Sequence, residues 1–124
     1  MIGAICGDII GSVHEGAGTE TKDFPLLVAA SRFTDDTVLT VAVARKLLYG
    51  GDYVDHFHDA FHAYPNAGFG AGFSEWARKR QRQPYQSWGN GAAMRVSAIA
   101  IAHDTLDEVL AEARLSAAVT HEIP

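Results

Sequence analysis

Between Phe33 and Val38 the chain reads Thr34-Asp35-Asp36-Thr37, two adjacent carboxylates between two hydroxyls with no Lys or Arg immediately beside them. Hard oxygen donors of this kind suit Mg²⁺, Mn²⁺ or Ca²⁺ better than zinc. Neighbouring positions on a helix stand about 100° apart around the axis, so Asp35 and Asp36 point in different directions. They can flank one ion or serve two ions side by side. The other reading is an anionic helix start, with Thr34 as N-cap and two acids in the first turn, where the macrodipole favours negative charge.

Two further places carry more chemistry than a scaffold needs. Glu15 follows a glycine-rich apolar run and stands where helix gives way to loop, a position from which a carboxylate can act as general acid or base or remain an ordinary surface group. Gly89-Asn90-Gly91 sets two glycines around an amide at a helix start. That pattern either bares backbone N–H groups to a phosphate or hydroxyl, or forms a tight turn with an Asn cap. Arg95 lies one turn further on and, if buried, requires an anionic partner. His121 reads as exposed tail. His56, His58 and His62 read as the polar positions of an amphipathic helix, with spacing unlike a zinc site.

The elements that position these residues all read as helices. Residues 2–13 are small and apolar, with Gly3, Gly7 and Gly11 on one face and open to close backbone approach. Asp8 interrupts this run, and a buried carboxylate there must find donors or a cation. Residues 15–31 form a long irregular connection of the kind that is often functional. A helix from Thr34 stops at Gly50-Gly51. Asp52 and Asp55 open the next helix, which carries Val54, Phe57 and Phe61 to about Tyr64. After the turn at Pro65–Gly68, Phe69, Phe73 and Trp76 form an aromatic stripe for the core. Ala92 to Ala102 is apolar on every side apart from Arg95, which predicts a central helix. Thr105-Leu106-Asp107-Glu108 is a capping box that starts the last helix. No strand alternation, internal repeat or linker competes with this reading.

With 124 residues the chain fits one domain, spanning 1–124, with a modest core. Its net charge of −5 opposes general binding to nucleic acid or to an anionic membrane. The basic stretch Arg78-Lys79-Arg80-Gln81-Arg82 reads as a solvated face or as a contact with a phosphate or protein. Cys6 is the only cysteine, so no intrachain disulfide forms. No apolar run approaches the roughly 20 residues that span a bilayer, and no signal leader is present, so a cytoplasmic location is expected.

Taken in order, several landmarks resemble the N-terminal portion of the ADP-ribosylglycohydrolase family, the all-helical hydrolases related to dinitrogenase-reductase-activating glycohydrolase. They are Gly3-Ala4-Ile5-Cys6-Gly7-Asp8-Ile9-Ile10-Gly11-Ser12, Glu15, Phe33 to Thr37, Tyr64-Pro65, Gly68-Phe69-Gly70, Gly89-Asn90-Gly91-Ala92-Ala93-Met94-Arg95 and Thr120-His121. The resemblance implies an all-α, compact orthogonal helical domain with a binuclear Mg²⁺ or Mn²⁺ site and an ADP-ribose cleft. It assigns metal ligation to Thr34, Asp35 and Asp36 and a role at the scissile bond to Glu15, with Asp35 as a second catalytic carboxylate. It assigns substrate binding to Gly89, Asn90, Gly91, Arg95 and His121.

The implied reaction is hydrolysis of an ADP-ribosyl bond to a protein or small molecule. Family members are about twice this length, and their distal half carries an Asp-x-Asp-Thr element that completes both metal positions. After Thr37 the acids of this chain are isolated, and Thr120-His121-Glu122-Ile123-Pro124 stops where the family continues. The expectation is therefore an apparently truncated domain with half a metal site. It would be active only with a complementing C-terminal half, or else serve as an inactive ADP-ribose-binding or self-associating helical module.

Overall fold

The computed structural model of the chain describes residues 1–121. Glu122, Ile123 and Pro124, the end of the last sequence motif, lie outside the described residues. Among the described residues seven α-helices follow one another: α1 (Ile2–Gly11), α2 (Asp35–Tyr49), α3 (Tyr53–Ala63), α4 (Ala71–Arg78), α5 (Gly91–Met94), α6 (Ile99–Ala102) and α7 (Leu106–Ala118). A 3₁₀ turn, Val96–Ala98, joins α5 to α6. There is no strand among the described residues.

Local chemistry sets the starts of α2, α3 and α7. Thr34 caps α2 by accepting from the Asp36 N–H, and Asp52 caps α3 by accepting from the Val54 N–H at 2.9 Å. Thr105 and Glu108 close a reciprocal capping box at α7. α2 ends because Gly50 and Gly51 take φ of 76° and 90°, backbone that residues with a Cβ adopt at a cost.

α2 is the hub, packed against α1, α3, α5, α6 and the 3₁₀ turn. Its inner face (Leu39, Ala42, Val43) meets Phe57 and Phe61 of α3, Phe73, Trp76 and Ala77 of α4, and Ala98 and Ile99. Trp76 is fully buried, and its indole N–H is satisfied by the Gln83 carbonyl at 2.9 Å. Phe69 precedes α4 and stacks on Phe73 with centroids 5.1 Å apart, so the aromatic stripe enters the core as expected. Lys46, Tyr53 and Glu112 tie α2, α3 and α7 together, with Glu112 accepting from both partners.

Three expectations are corrected. The apolar stretch 92–102 is not one central helix. It breaks at Arg95, which stands at φ −97°, ψ −1°, and its far end turns outward with Ile101 69% exposed. The glycine face of α1 is not a close backbone contact, since a Cβ added at Gly3, Gly7 or Gly11 would meet nothing within 4 Å. His58 is not on a polar face: it is buried against Trp76 at a centroid distance of 4.3 Å. The basic stretch is an exposed face, as expected, on which Lys79 pairs with Glu75, Arg80 with Asp59, and Arg82 with Asp52 and Asp55.

Candidate active site

Asp8, the odd carboxylate of α1, finds donors. It accepts the Thr34 hydroxyl at 2.6 Å and N–H at 2.8 Å, and also the hydroxyl and N–H of Thr37. α1 contributes no buried residue of its own, so this polar clasp is its main specific tie to α2. Thr34 is buried, and its hydroxyl is shared between Asp8 and the cap of α2. The clasp leaves Asp35 and Asp36 as the carboxylates presented at the helix start.

The two carboxylates face separate recesses. Asp36 lines one with Asp8, Glu15, Thr40 and the glycine face of α1 at Gly7 and Gly11. Asp35 lines a cleft of about 120 Å³ with Gly89, Asn90, Gly91, Arg95, Thr120 and His121. Met94 borders both. The structure thus brings Asp35 together with every residue assigned to substrate binding, and sets Glu15 beside Asp36. Asp35 is further fixed from the loop after α3. Its N–H donates to the Ala67 carbonyl at 2.9 Å, and Gly68, at φ 106°, would put a Cβ 3.5 Å from its Oδ1.

Crowded negative charge marks this end of α2. Burial pushes the Asp35 carboxyl up to about 6, with added contributions from Asp36, Glu15 and Asp8. Asp36 is raised as well, by burial and then by Asp8 and Glu15. Carboxylates that repel one another in a half-buried setting are the right kind of donors for a hard cation. They fall short in number: among the described residues no three His, Cys, Asp or Glu side chains are gathered to hold an ion.

The cleft wall is built on a buried cation. Arg95 is 1% exposed, with its guanidinium 4.4 Å above the Phe57 ring and Nη2 donating to the Ser116 carbonyl at 2.7 Å and the Thr120 hydroxyl at 2.9 Å. Burial pushes it down to about 10. Its partners are neutral oxygens, where the sequence had called for an anion. His121 joins the wall, with Nδ1 at 2.9 Å from the Thr120 hydroxyl and Nε2 at 3.0 Å from the Gly89 carbonyl. Asn90 makes no side-chain cap bond to α5, which is a single turn.

Sequence reasoning missed Tyr85 and Ser87, which line the same cleft, and Trp88, which is fully exposed beside it. Their signal was an aromatic pair set between Pro84 and the Gly89–Gly91 turn; Tyr85 packs against the core beside Trp76, and Trp88 is left to solvent.

These features place the chain among all-helical domains that hold an acidic recess against a glycine-walled polar cleft. It belongs to the ADP-ribosylglycohydrolase family, which it matches over residues 1–124. Among curated proteins it is similar to ADP-ribosylhydrolase ARH3 of Mus musculus, 31% identical, covering 98% of this chain and 42% of that protein. The ARH3 proteins of Bos taurus and Homo sapiens are 32% and 30% identical over 98% of this chain and 43% of their own length. The chain therefore spans less than half the length of the relatives it matches. Among the described residues no helix is long and apolar enough to cross a membrane.

Proposed function

We propose that this chain supplies the ADP-ribose cleft and one side of a divalent-metal centre for hydrolysis of an ADP-ribosyl glycosidic bond. The observation that carries this is the placement of Asp35 in one cleft with Gly89, Asn90, Gly91, Arg95 and His121, with Asp36 and Glu15 in the adjoining recess. A polar cleft over a buried guanidinium suits a diphosphate. The exposed face of Trp88 suits stacking with a base.

In hydrolysis, water adds across the bond at the anomeric carbon: its hydroxyl goes to that carbon and its proton to the leaving group. Glu15, in the recess it shares with Asp36, would exchange that proton, and Asp35 would act as the second carboxylate through the cation it helps to hold. Asp35 and Asp36, with an oxygen of Thr34, would hold Mg²⁺ or Mn²⁺, which polarises ribose hydroxyls and water when bound. The remaining ligands must come from outside this donor set, from a complementing segment that also confines the substrate. The leaving group, protein or small molecule, is set by that segment.

Calorimetric titration of the chain with ADP-ribose, with and without Mg²⁺, tests the reading. Binding that is weakened by Asn90→Ala and by Trp88→Ala supports it. No heat and no thermal stabilisation at millimolar ligand would overturn it.

A second reading, a self-associating helical module, draws on the apolar residues left exposed on α6 and α7: Ile101 at 69%, Leu106 at 70% and Leu115 at 58%. A stable dimer in sedimentation analysis that ignores ADP-ribose would favour it.

A further inference from the structure

The donors and acceptors around His121 admit one consistent direction of hydrogen bonding for a neutral ring. The Gly89 carbonyl can only accept, so Nε2 carries the ring proton and Nδ1 is a bare acceptor. The single Thr120 hydroxyl proton must then point at Nδ1, which leaves the oxygen lone pairs for Arg95. The polarity runs one way: Arg95 Nη2–H to Thr120 Oγ1, Thr120 O–H to His121 Nδ1, His121 Nε2–H to the Gly89 carbonyl.

Thr120 is wholly buried and Arg95 nearly so, so water does not compete for the first link, and the second is open only from the half-buried His121 side. The source is a guanidinium that has no carboxylate within ion-pair distance among the described residues, and whose charge therefore polarises the whole chain. Thr120 also takes the Ser87 N–H on its backbone carbonyl at 2.9 Å. The end of α7 thus grips the cleft loop on both sides of Trp88.

We infer that Arg95 and Thr120 are positioning residues: through this relay they hold the His121 ring against the Gly89 carbonyl, which keeps it in the Nε2–H tautomer and makes it a strut for Gly89 in the wall of the cleft. His121, in this assignment, has both ring nitrogens engaged by the protein, and so shapes the cleft instead of offering a free donor to a ligand. Arg95 acts from behind the wall. The inference rests on the cleft geometry and deepens the functional reading above, because the strut fixes the loop proposed to face the diphosphate.

The test uses the full chain with ¹⁵N-labelled histidine, the His121 signal being assigned by its loss in His121→Gln. Long-range ¹H–¹⁵N correlation should show a single Nε2–H tautomer in the native chain. Thr120→Val removes the hydroxyl at nearly constant shape and leaves the buried Arg95 in place. With Nδ1 unanchored the ring can turn off the Gly89 carbonyl, so the variant should give a tautomer mixture at His121 and speed amide exchange at Gly89 and Asn90 about tenfold, the loss of one buried hydrogen bond. Thr120→Ser should restore both.

Unchanged tautomer and exchange in Thr120→Val would overturn the inference. So would a failure of Thr120→Ser to rescue. Should Arg95→Lys fold, it should weaken the tautomer preference in the same direction. The two readings separate cleanly: a tautomer that collapses in Thr120→Val while ADP-ribose never binds supports the relay and removes the nucleotide. Binding that survives alongside an unmoved tautomer does the reverse.

Discussion

The Asp8 carboxylate on α1 accepts the Thr34 hydroxyl at 2.6 Å and the Thr34 N–H at 2.8 Å, so the N-cap of α2 is itself capped by another helix. Thr34 gives α2 its first acceptor, and Asp8 gives Thr34 its orientation. Four donors converge on this one side chain. It lies where two acids already crowd the helix start, so a third negative charge is tolerated only through those bonds.

Replacing Asp8 should therefore hurt more than a surface acid. Asp8→Ala leaves the Thr34 and Thr37 donors without their acceptor and frees α1, which buries no residue of its own. A loss of about 1–3 kcal/mol is expected, the range for stripping a partner from buried polar groups. Urea unfolding of Asp8→Ala against the native chain measures it. Hydrogen exchange should show α1 amides losing protection before those of α3.

Asp35 should make the protein more stable, not less, as pH falls through the weakly acidic range. Its carboxyl is pushed up to about 6 from an ordinary 3.8, chiefly by burial and then by Asp36. The folded state holds the proton more tightly, so ionisation costs stability as pH rises between those values. The difference in unfolding free energy between the native chain and Asp35→Asn, followed from pH 4 to pH 7, isolates this contribution. It should favour the native chain progressively as pH falls.

His58 works in the opposite direction over a neighbouring range. Burial against Trp76 holds its pKa below the usual imidazole value, and the Arg80 charge adds to this. The folded state resists protonation, so the stability it contributes above about 6.5 is lost as pH falls toward the lowered value. His58→Phe, which keeps an aromatic ring on Trp76, should flatten the decline below neutral pH in thermal melts. Asp35→Asn should leave that decline in place, which separates the two groups.

Local signals were legible and tertiary ones were not. Thr34, Asp52 and Thr105 announce helix starts because a cap is made within three residues of itself. The grouping of Asp35 with Gly89, Asn90, Gly91 and His121 followed from their resemblance to a family, since nothing in the spacing places residue 35 beside residue 121. The break at Arg95 was hidden because its partners lie far along the chain, Ser116 on α7 and Thr120 just past it, where they receive the guanidinium. His58 read as polar because its burial depends on Trp76 arriving from α4. Asp8 could be flagged as needing partners, but its four donors stand 26 to 29 residues further along.

Metal affinity is the sharpest test of how much of a centre this chain holds. Asp35 and Asp36 supply hard oxygens, yet no third acidic or histidine ligand is gathered with them among the described residues. Affinity for such cations follows ligand number and preorganisation, so Mg²⁺ or Mn²⁺ should bind no more tightly than about millimolar. Even weak binding should show in the Asp35 titration, because a divalent charge offsets the repulsion from Asp36, Glu15 and Asp8 that helps hold its proton. Added Mn²⁺ should therefore move the Asp35 midpoint downward and broaden nearby resonances, and Asp36→Asn should abolish both effects. The chain alone should release no ADP-ribose from a modified substrate. Metal-dependent turnover by the pure chain, lost in Asp35→Ala, would show that these few ligands suffice.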